Sequence, residues 1–411
     1  MNQTTLKRIR EKADPLKWAT ALFALSFTLG IAINSIAFSI FVFIGTVITL
    51  NDSFKGRIKV DFNRFNMALM ALFLVIAIRE TLAGTVNIPD AVFSYISFLV
   101  LPLIIGFQAN KIIGYLPIVL RFFLIGCVVN ATVNLGFAVY RGILIRDEGI
   151  NFWYFTYRYL AEPFGIQPIY LGFFYVFALL ILIKLKRFGR YRLLYYFSFS
   201  LLSLSIVLLA ARNAILCMII LVPIYHLVEA GKKGLKHTLL FLGLIGVCFV
   251  IALQNPLTKN RIWNVNKKGN LYSGTSLRYS VWESAYTVSK ENFLWGLGEK
   301  KASALLLKEF EIRELKTPLK QKYHAHNQYL QTLLHYGCLG LLVLLGVFLW
   351  SFRHALAHKN FLAIFWIFLV LLTCVTESIL SRQWGIYSLA FFGSIFYLNL
   401  QLPKKIVPFN P

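Results

Sequence analysis

Three histidines lie within twelve residues of one another in the segment KYHAHNQYLQTLLHYGCLG, namely His324, His326 and His335. The segment joins a hydrophilic stretch to an apolar one, so we expect these imidazoles where the chain re-enters a membrane. Histidine titrates near neutral pH and can serve there as a general base or orient a substrate hydroxyl. The neighbouring Asn327 can hydrogen-bond hydroxyl groups. The alternative is a histidine that only caps a helix or lines an interface.

A metal site is not expected from the same residues. His324 and His326 are two positions apart and do not share a helix face, and no acidic residue lies near them in the sequence. The five cysteines all lie in apolar runs without a C-x-x-C pair, which indicates small buried side chains and no disulfide framework. We therefore predict neither a metal nor another cofactor.

Two arginines are candidates for binding an anion. Arg212, in LLAARNAILC, lies between two apolar runs that share almost no loop, and an arginine at membrane depth is costly enough to indicate a function. Arg278, in SLRYSVWESAYTVS, is one residue from the apolar stripe of an amphipathic helix. The guanidinium fork binds phosphate with two hydrogen bonds and stays charged. The alternatives are a snorkelling arginine at position 212 and a solvated one at 278.

Other charged residues lie in the neighbouring gaps between apolar runs. Glu377 and Arg382, in TESILSRQWG, place an acid and a base at the same predicted depth as Arg212, although a salt bridge between the two is the simpler interpretation. Arg141, Arg146 and Arg158 belong to an aromatic-rich segment that we expect to lie along the membrane interface.

The elements that position these residues follow from the composition. Of the 411 residues, 58% are hydrophobic, against about 45–50% in soluble proteins, and the mean hydropathy is +0.67. These values exclude a soluble enzyme, a secreted disulfide scaffold and a disordered chain. The net charge of +25 indicates anionic lipid or an anionic substrate. In a membrane protein it does not indicate nucleic acid.

A window of about 19 residues predicts an all-α, polytopic membrane protein with about twelve transmembrane helices. The apolar segments are 18–33, 34–50, 66–84, 91–108, 112–140, 166–183, 193–210, 213–228, 238–254, 327–351, 361–376 and 384–402. The first two share one stretch, with a tight turn expected near Asn34 and Ser35. The predicted organisation is helices 1–9 in residues 1–254, a large loop in 255–325 and helices 10–12 in 326–411.

The charge distribution predicts the orientation, because cytoplasmic loops collect Lys and Arg. One alternating set of gaps holds 22 of the 42 basic residues, which places both termini in the cytoplasm and the loop 255–325 on the opposite side. Within that loop we expect helices over 276–289 and 300–315, separated by the turn Trp295-Gly296-Leu297-Gly298, with Pro318 ending the second.

Together these residues resemble the signature of bacterial O-antigen ligases. His326-Asn327, nine residues, Gly337, two residues and Gly340 are similar to the family's His-Asn/Ser/Gln, nine, Gly, two, Gly/Thr/Tyr pattern. The family also has an arginine after an apolar span, as in Ala211-Arg212, and one in the large loop, as in Leu277-Arg278. The motifs cover roughly residues 195–345, and the topology covers the whole chain.

The resemblance implies a glycosyltransferase of the bacterial inner membrane whose site faces the periplasm. It would transfer a glycan from undecaprenyl diphosphate to a sugar hydroxyl of the lipid A core, with inversion and without metal or nucleotide. His326 would be the base or the residue that orients the acceptor, and Arg212 and Arg278 would bind the diphosphate. His324, Asn327, Glu377 and Arg382 would support them. The expected partners are the lipid-linked donor, the lipid A core and membrane lipids; the oligomeric state stays open.

Three alternatives remain. O-antigen polymerases use the same donor but extend a second lipid-linked glycan, and the His-Asn spacing favours a ligase over them. Protein O-oligosaccharyltransferases commonly carry a C-terminal soluble region, which we do not expect after the last apolar segment here. A transporter for lipid-linked sugars predicts charges along the spans and broken helices at the midplane, whereas the candidate residues here gather at one face.

Overall fold

The computed structural model describes residues 14–57, 60, 62–83, 90–145, 149–185, 192–263 and 275–399. Nineteen α-helices and no strand lie in these ranges, which confirms the all-α prediction for the described part of the chain. The first nine are α1 Pro15–Ser26, α2 Ile31–Phe54, α3 Arg64–Leu82, α4 Asp90–Tyr95, α5 Ser97–Phe107, α6 Ala109–Ile112, α7 Leu116–Val139, α8 Tyr157–Leu160 and α9 Pro168–Leu185.

The remaining helices include those that carry the candidate residues. They are α10 Arg192–Leu208, α11 Arg212–Ala230, α12 Leu235–Leu253, α13 Pro256–Trp263, α14 Thr275–Ser289, α15 Glu299–Ile312, α16 Lys316–Lys320, α17 Gln328–Ala357, α18 Phe361–Thr376 and α19 Gln383–Asn399. Short turns of other helical types lie at Ile113–Tyr115, Tyr140–Leu144, Phe152–Phe155, Glu162–Phe164, Gly231–Gly234, Lys290–Asn292 and Ile379–Ser381.

Seven helical runs among the described residues are long and apolar enough to cross a membrane. They are α2, α3, the run Ala109–Leu144, α9, α11, α12 and α17. Three shorter apolar helices are Val92–Phe107, α10 and α18. These helices point to a multi-pass membrane protein, while the number of twelve spans stays a prediction.

The first predicted turn is misplaced. The chain reverses at 27–30, where Gly30 has a φ of +91° that favours glycine. Asn34, expected in the turn, is buried inside α2, and its amide donates to Ser26 Oγ at 2.9 Å. A polar residue inside an apolar run therefore marked a contact between α1 and α2 rather than their boundary.

The bundle is packed around α9, whose membrane-length window is 83% buried. A helix that is apolar on every side belongs in the interior. Phe174 of α9 joins three further phenylalanine rings in a group with centroid separations of 5.0–6.2 Å: Phe27 just after α1, Phe123 of α7 and Phe392 of α19. By contrast, only 17% of the α2 window is buried, so α2 lies at the periphery.

The large loop has a small core of its own. The apolar face predicted for 276–289 is present in α14, where Val281, Ala285 and Val288 are buried against α15. The second loop helix ends at Ile312, three residues earlier than expected, and Pro318 lies within α16 rather than after a helix. The residue that would cap α14 lies outside the described residues. Leu334 of α17 joins the same core, which fixes the loop to the membrane bundle.

Gly337 is the position where the loop meets α17. Its φ of +66° and ψ of −168° interrupt the helix, in a region that essentially only glycine occupies. The amides of Leu297 and Gly298 donate to the carbonyls of Leu334 and His335, and that of Cys338 donates to Phe293 at 2.7 Å. The signature glycine thus permits a close backbone contact between α17 and the turn before α15.

Candidate functional site

His326 lies in the short connection between α16 and α17, held from several sides. Its φ of +47° is unusual for a residue with a side chain. Trp282 of α14 donates its indole N–H to the His326 carbonyl at 3.4 Å, and Gln331 accepts from the amide of Ala325 at 2.8 Å. Tyr323 contacts the imidazole edge-on, with centroids 4.9 Å apart. These contacts fix the histidine at the mouth of the bundle.

Asn327 begins α17 rather than facing a substrate with its carbonyl oxygen. Its Oδ1 accepts from the amides of Tyr329 and Leu330 at 2.9 and 3.1 Å, as an N-cap does. The backbone amide of Asn327 donates to Ser378 Oγ at 3.2 Å. The signature asparagine therefore connects the beginning of α17 to the end of α18, where Glu377 lies.

Glu377 is the partner of the histidines. Nδ1 of His326 lies 3.2 Å from both carboxylate oxygens of Glu377, and Nε2 of His324 lies 3.4 Å from Oε1. The carboxylate side chain is only 4% exposed. Among the described residues, the ion pairs of Glu377 are with these histidines and not with Arg382. The expected Glu377–Arg382 salt bridge is therefore wrong.

The hydrogen bonds assign the protons of both rings. The amide of His326 donates to Nδ1 of His324 at 3.1 Å, so neutral His324 carries its proton on Nε2 and directs it towards Glu377. Nδ1 of His326 can contact two carboxylate oxygens only as a donor. In its neutral form His326 thus keeps the lone pair on Nε2, which has no hydrogen-bond partner among the described residues.

Burial and neighbouring charges determine the protonation states of His324 and Glu377. Burial lowers the pKa of His324 to about 4, and repulsion from His326 and Arg382 acts in the same direction while Glu377 opposes it. Burial alone would raise the pKa of Glu377, but the hydrogen bond from His326 and the two imidazoles bring it below its ordinary value. At neutral pH a neutral His324 and an ionised Glu377 therefore flank His326.

His324, His326 and Glu377 bear on the prediction that the site holds no metal. The sequence shows no acidic residue near His324 and His326, yet the fold brings Glu377 so close that one potential ligand atom from each lies within 4.8 Å of the others. Two histidines and a carboxylate suit zinc by residue type. The metal-free site stays a prediction, which chelation and added zinc test.

Arg212 begins α11 beside the end of α18. The side-chain amide of Asn213 donates to Thr373 Oγ1 at 3.3 Å, and the backbone amide of Glu377 donates to the Thr373 carbonyl. Thr373 thus contacts Asn213, which follows Arg212, and Glu377, which follows α18. The Arg212 side chain is exposed and interacts electrostatically with that of Arg278.

Arg278 reaches the site from the loop. It lies four residues before Trp282, on the same face of α14, and Trp282 is the residue that contacts the His326 carbonyl. Among the described residues, neither Arg278 nor Arg212 forms an ion pair with a carboxylate. Two uncompensated guanidinium groups on one face are suited to an anionic ligand.

The remaining candidates divide between the site and the interior. Arg382 is exposed and acts electrostatically on His324. His335 is buried in α17 and bonds to Gln331 Nε2 at 2.7 Å, which is a structural role. Sequence reasoning did not connect Glu377 with His326, and it did not single out Tyr323 or Arg261, which stacks on Tyr157. Spacing along the chain carries no signal for these contacts.

The comparison with known families agrees with this site. Residues 197–345 match the family model for O-antigen ligases, which confirms the resemblance of this part of the chain to that family. The matched range contains Arg212, Arg278 and His326. The family comprises O-antigen ligases and polymerases, which are glycosyltransferase-like membrane proteins. A search of curated proteins gave no match.

Proposed function

We propose that this protein is an O-antigen ligase that transfers a glycan from undecaprenyl diphosphate to a sugar hydroxyl of the lipid A core. The observation that carries the proposal is the contact of His326 Nδ1 with Glu377, because it leaves Nε2 free to accept a proton. The protein would lie in the bacterial inner membrane with both termini in the cytoplasm and the site in the periplasm, as the charge distribution predicts.

The reaction follows from the groups at the site. The acceptor hydroxyl donates to Nε2 of His326, and its oxygen attacks the anomeric carbon from the side opposite the diphosphate, which inverts that centre. The bond from the anomeric carbon to the phosphate oxygen breaks, and its electrons leave with undecaprenyl diphosphate. The hydroxyl proton moves to His326, whose positive charge Glu377 stabilises, and then passes to solvent or to the departing phosphate.

Arg212 and Arg278 would act on the leaving group. Negative charge grows on the diphosphate oxygens as the glycosidic bond breaks, and guanidinium groups already in position stabilise it without rearranging. One such contact contributes about 10²–10³ in rate in other enzymes. No divalent metal is needed in this scheme, because two positive side chains take its electrostatic role.

The test is reconstitution of the purified full-length protein with lipid-linked glycan and lipid A core, without ATP or added metal. Wild type should form product, and His326→Ala, Arg212→Ala and Arg278→Ala should each lose it. The exposed residues His358 and Arg353, at the opposite end of α17, supply the matched controls His358→Ala and Arg353→Ala. Unimpaired transfer by the three site variants contradicts the proposal.

The choice of acceptor separates the alternatives. Elongation of a second lipid-linked glycan without any product on the lipid A core indicates a polymerase, and transfer to a serine-containing peptide indicates a protein-glycosylating enzyme. Movement of the intact donor across a vesicle membrane without bond cleavage indicates a transporter. The proton-accepting histidine favours an enzyme over the transporter.

A further inference from the structure

A second group of arginines lies beside Arg212 and takes no part in the reaction described above. Arg261 belongs to α13 and Arg158 to α8, and each interacts electrostatically with its neighbours: Arg261 with Arg212 and Arg158, and Arg212 with Arg278. Arg212 is thus common to two pairs. Among the described residues, Arg158 and Arg261 have no ion pair with a carboxylate.

Hydrogen bonds between side chains explain why three distant segments meet here. Thr258 of α13 donates to Thr156 Oγ1 at 3.0 Å, and Thr156 donates to the carbonyl of Leu208, the last residue of α10, at 3.3 Å. Both threonines are buried. Arg261, Arg158 and Arg212 follow these three residues by two to four positions, so the bonds hold the arginines at one corner of the bundle.

Tyr157 fixes the direction of Arg261. The guanidinium carbon lies 3.2 Å from the centroid of the tyrosine ring, and Tyr157 adopts a φ of +49°, which is rare for such a residue. Partial burial lowers the pKa of Arg261, Tyr157 opposes that change, and the charges of Arg212 and Arg158 add to it. The fold thus holds mutually repelling charges together, and arginine stays protonated at neutral pH.

The positions of the two pairs suggest how a donor would lie. Arg278 is near the reacting end, because its helix contacts His326 through Trp282. Arg261 is at the other end of the series Arg278, Arg212, Arg261. It lies next to an aromatic segment in which Trp153 is 54% exposed and packs against Tyr159. Asn255, just before α13, bonds to the carbonyl of Phe152 at 3.0 Å and ties the two together.

We propose that Arg261, held by Tyr157 and assisted by Arg158, binds the phosphoryl group adjacent to the lipid chain. Arg278 and Arg212 then hold the phosphoryl group next to the sugar, and the polyprenyl chain leaves over Trp153. The inference rests on the proposed function and deepens it, because it makes a diphosphate, rather than a monophosphate, the group that the site recognises.

The experiment measures binding of undecaprenyl diphosphate and of undecaprenyl monophosphate to the full-length protein in detergent. Wild type should bind the diphosphate more tightly. Arg261→Gln should weaken binding of both lipids on the order of ten-fold, as expected for one lost charged hydrogen bond, because the single phosphate of the monophosphate is the one adjacent to the lipid chain. Arg278→Gln should weaken diphosphate binding by a similar factor and change monophosphate binding by less than about two-fold. Arg261→Lys, which keeps the charge but not the planar fork, should lie between wild type and Arg261→Gln.

Arg192→Gln is the matched control, because Arg192 also stacks on a tyrosine, Tyr196, at 5.6 Å but begins α10 at the opposite end. It should bind both lipids as wild type does.

If Arg212→Gln and Arg278→Gln weaken binding and Arg261→Gln does not, this inference is wrong and the proposed function stands. Weakened binding of the diphosphate but not of the monophosphate by Arg261→Gln also overturns it, since Arg261 would then bind the phosphoryl group next to the sugar. If none of the three variants weakens binding, the proposed function itself fails.

Discussion

Nδ1 of His326 lies 3.2 Å from both carboxylate oxygens of Glu377, a residue 51 positions further along the chain. This contact determines which nitrogen of the histidine is free. Because Glu377 is buried and held in its ionised form by its imidazole neighbours, the imidazole directs Nδ1–H towards it and keeps its lone pair on Nε2.

Glu377→Gln should lower the rate of glycan transfer by about 10²–10⁴-fold. The amide can donate to Nδ1 and stabilise the tautomer that has its proton on Nε2, which can no longer accept one. Donor binding should change little, because Arg212 and Arg278 remain. The measurement is kcat and KM of the reconstituted enzyme. A large rise in KM with unchanged kcat would show instead that Glu377 serves donor binding.

His324 should make the protein less stable in mild acid. Its folded pKa of about 4 lies below the ordinary 6.5, so between these values the unfolded state binds more protons and stability falls as the pH decreases. Glu377 adds to the loss only once the pH falls towards its own lowered pKa. From pH 7 to pH 5 the expected loss from His324 is on the order of 1–2 kcal/mol.

The matched comparison is thermal unfolding in detergent at the two pH values. His324→Asn keeps an acceptor for the His326 amide but does not titrate, so its melting temperature should fall less between pH 7 and pH 5 than that of wild type. His358→Asn, at an exposed position, should behave as wild type. An identical fall in all three proteins would show that His324 does not cause the acid sensitivity.

Gly337→Ala should unfold more readily than wild type, by about 2–4 kcal/mol. A Cβ there would lie 2.3 Å from the Leu294 carbonyl oxygen and 2.5 Å from the Gly296 nitrogen, at a backbone conformation closed to alanine. Gly346→Ala in the same helix is the control, because nothing lies within 4 Å of its added Cβ and alanine favours helix. Equal melting temperatures for the two variants would contradict the close contact at position 337.

Chelation should leave transfer unchanged, and zinc should inhibit it. EDTA removes no required group if two arginines stabilise the leaving diphosphate. Zn²⁺ bound by His324, His326 and Glu377 would take Nδ1 of His326, the nitrogen that faces Glu377. The proton of the neutral ring would then lie on Nε2, which could no longer accept one. His324→Asn should need a higher zinc concentration for the same inhibition. Activity that disappears with EDTA and returns with zinc would make the three residues a catalytic metal site.

The sequence predicts where the site lies better than how its residues are paired. When successive gaps between apolar runs are assigned to alternate sides of the membrane, Arg212, His326 and Glu377 fall on the same side. The structure brings these gaps together at one end of the bundle. The pairing of His326 with Glu377 and of Arg261 with Tyr157 could not be predicted, since both join distant segments through the packing of helices. The turn predicted near Asn34 is wrong for a different reason: a polar side chain in an apolar run can hydrogen-bond to a neighbouring helix, as Asn34 does to Ser26.

The rate of glycan transfer by His326→Gln, measured together with donor binding, tests the central claim most directly. Glutamine retains hydrogen bonding but cannot accept the hydroxyl proton. The account predicts a rate at least about 100-fold below that of wild type, with binding of undecaprenyl diphosphate retained. A His326→Gln protein that binds donor and transfers glycan at the wild-type rate would contradict it.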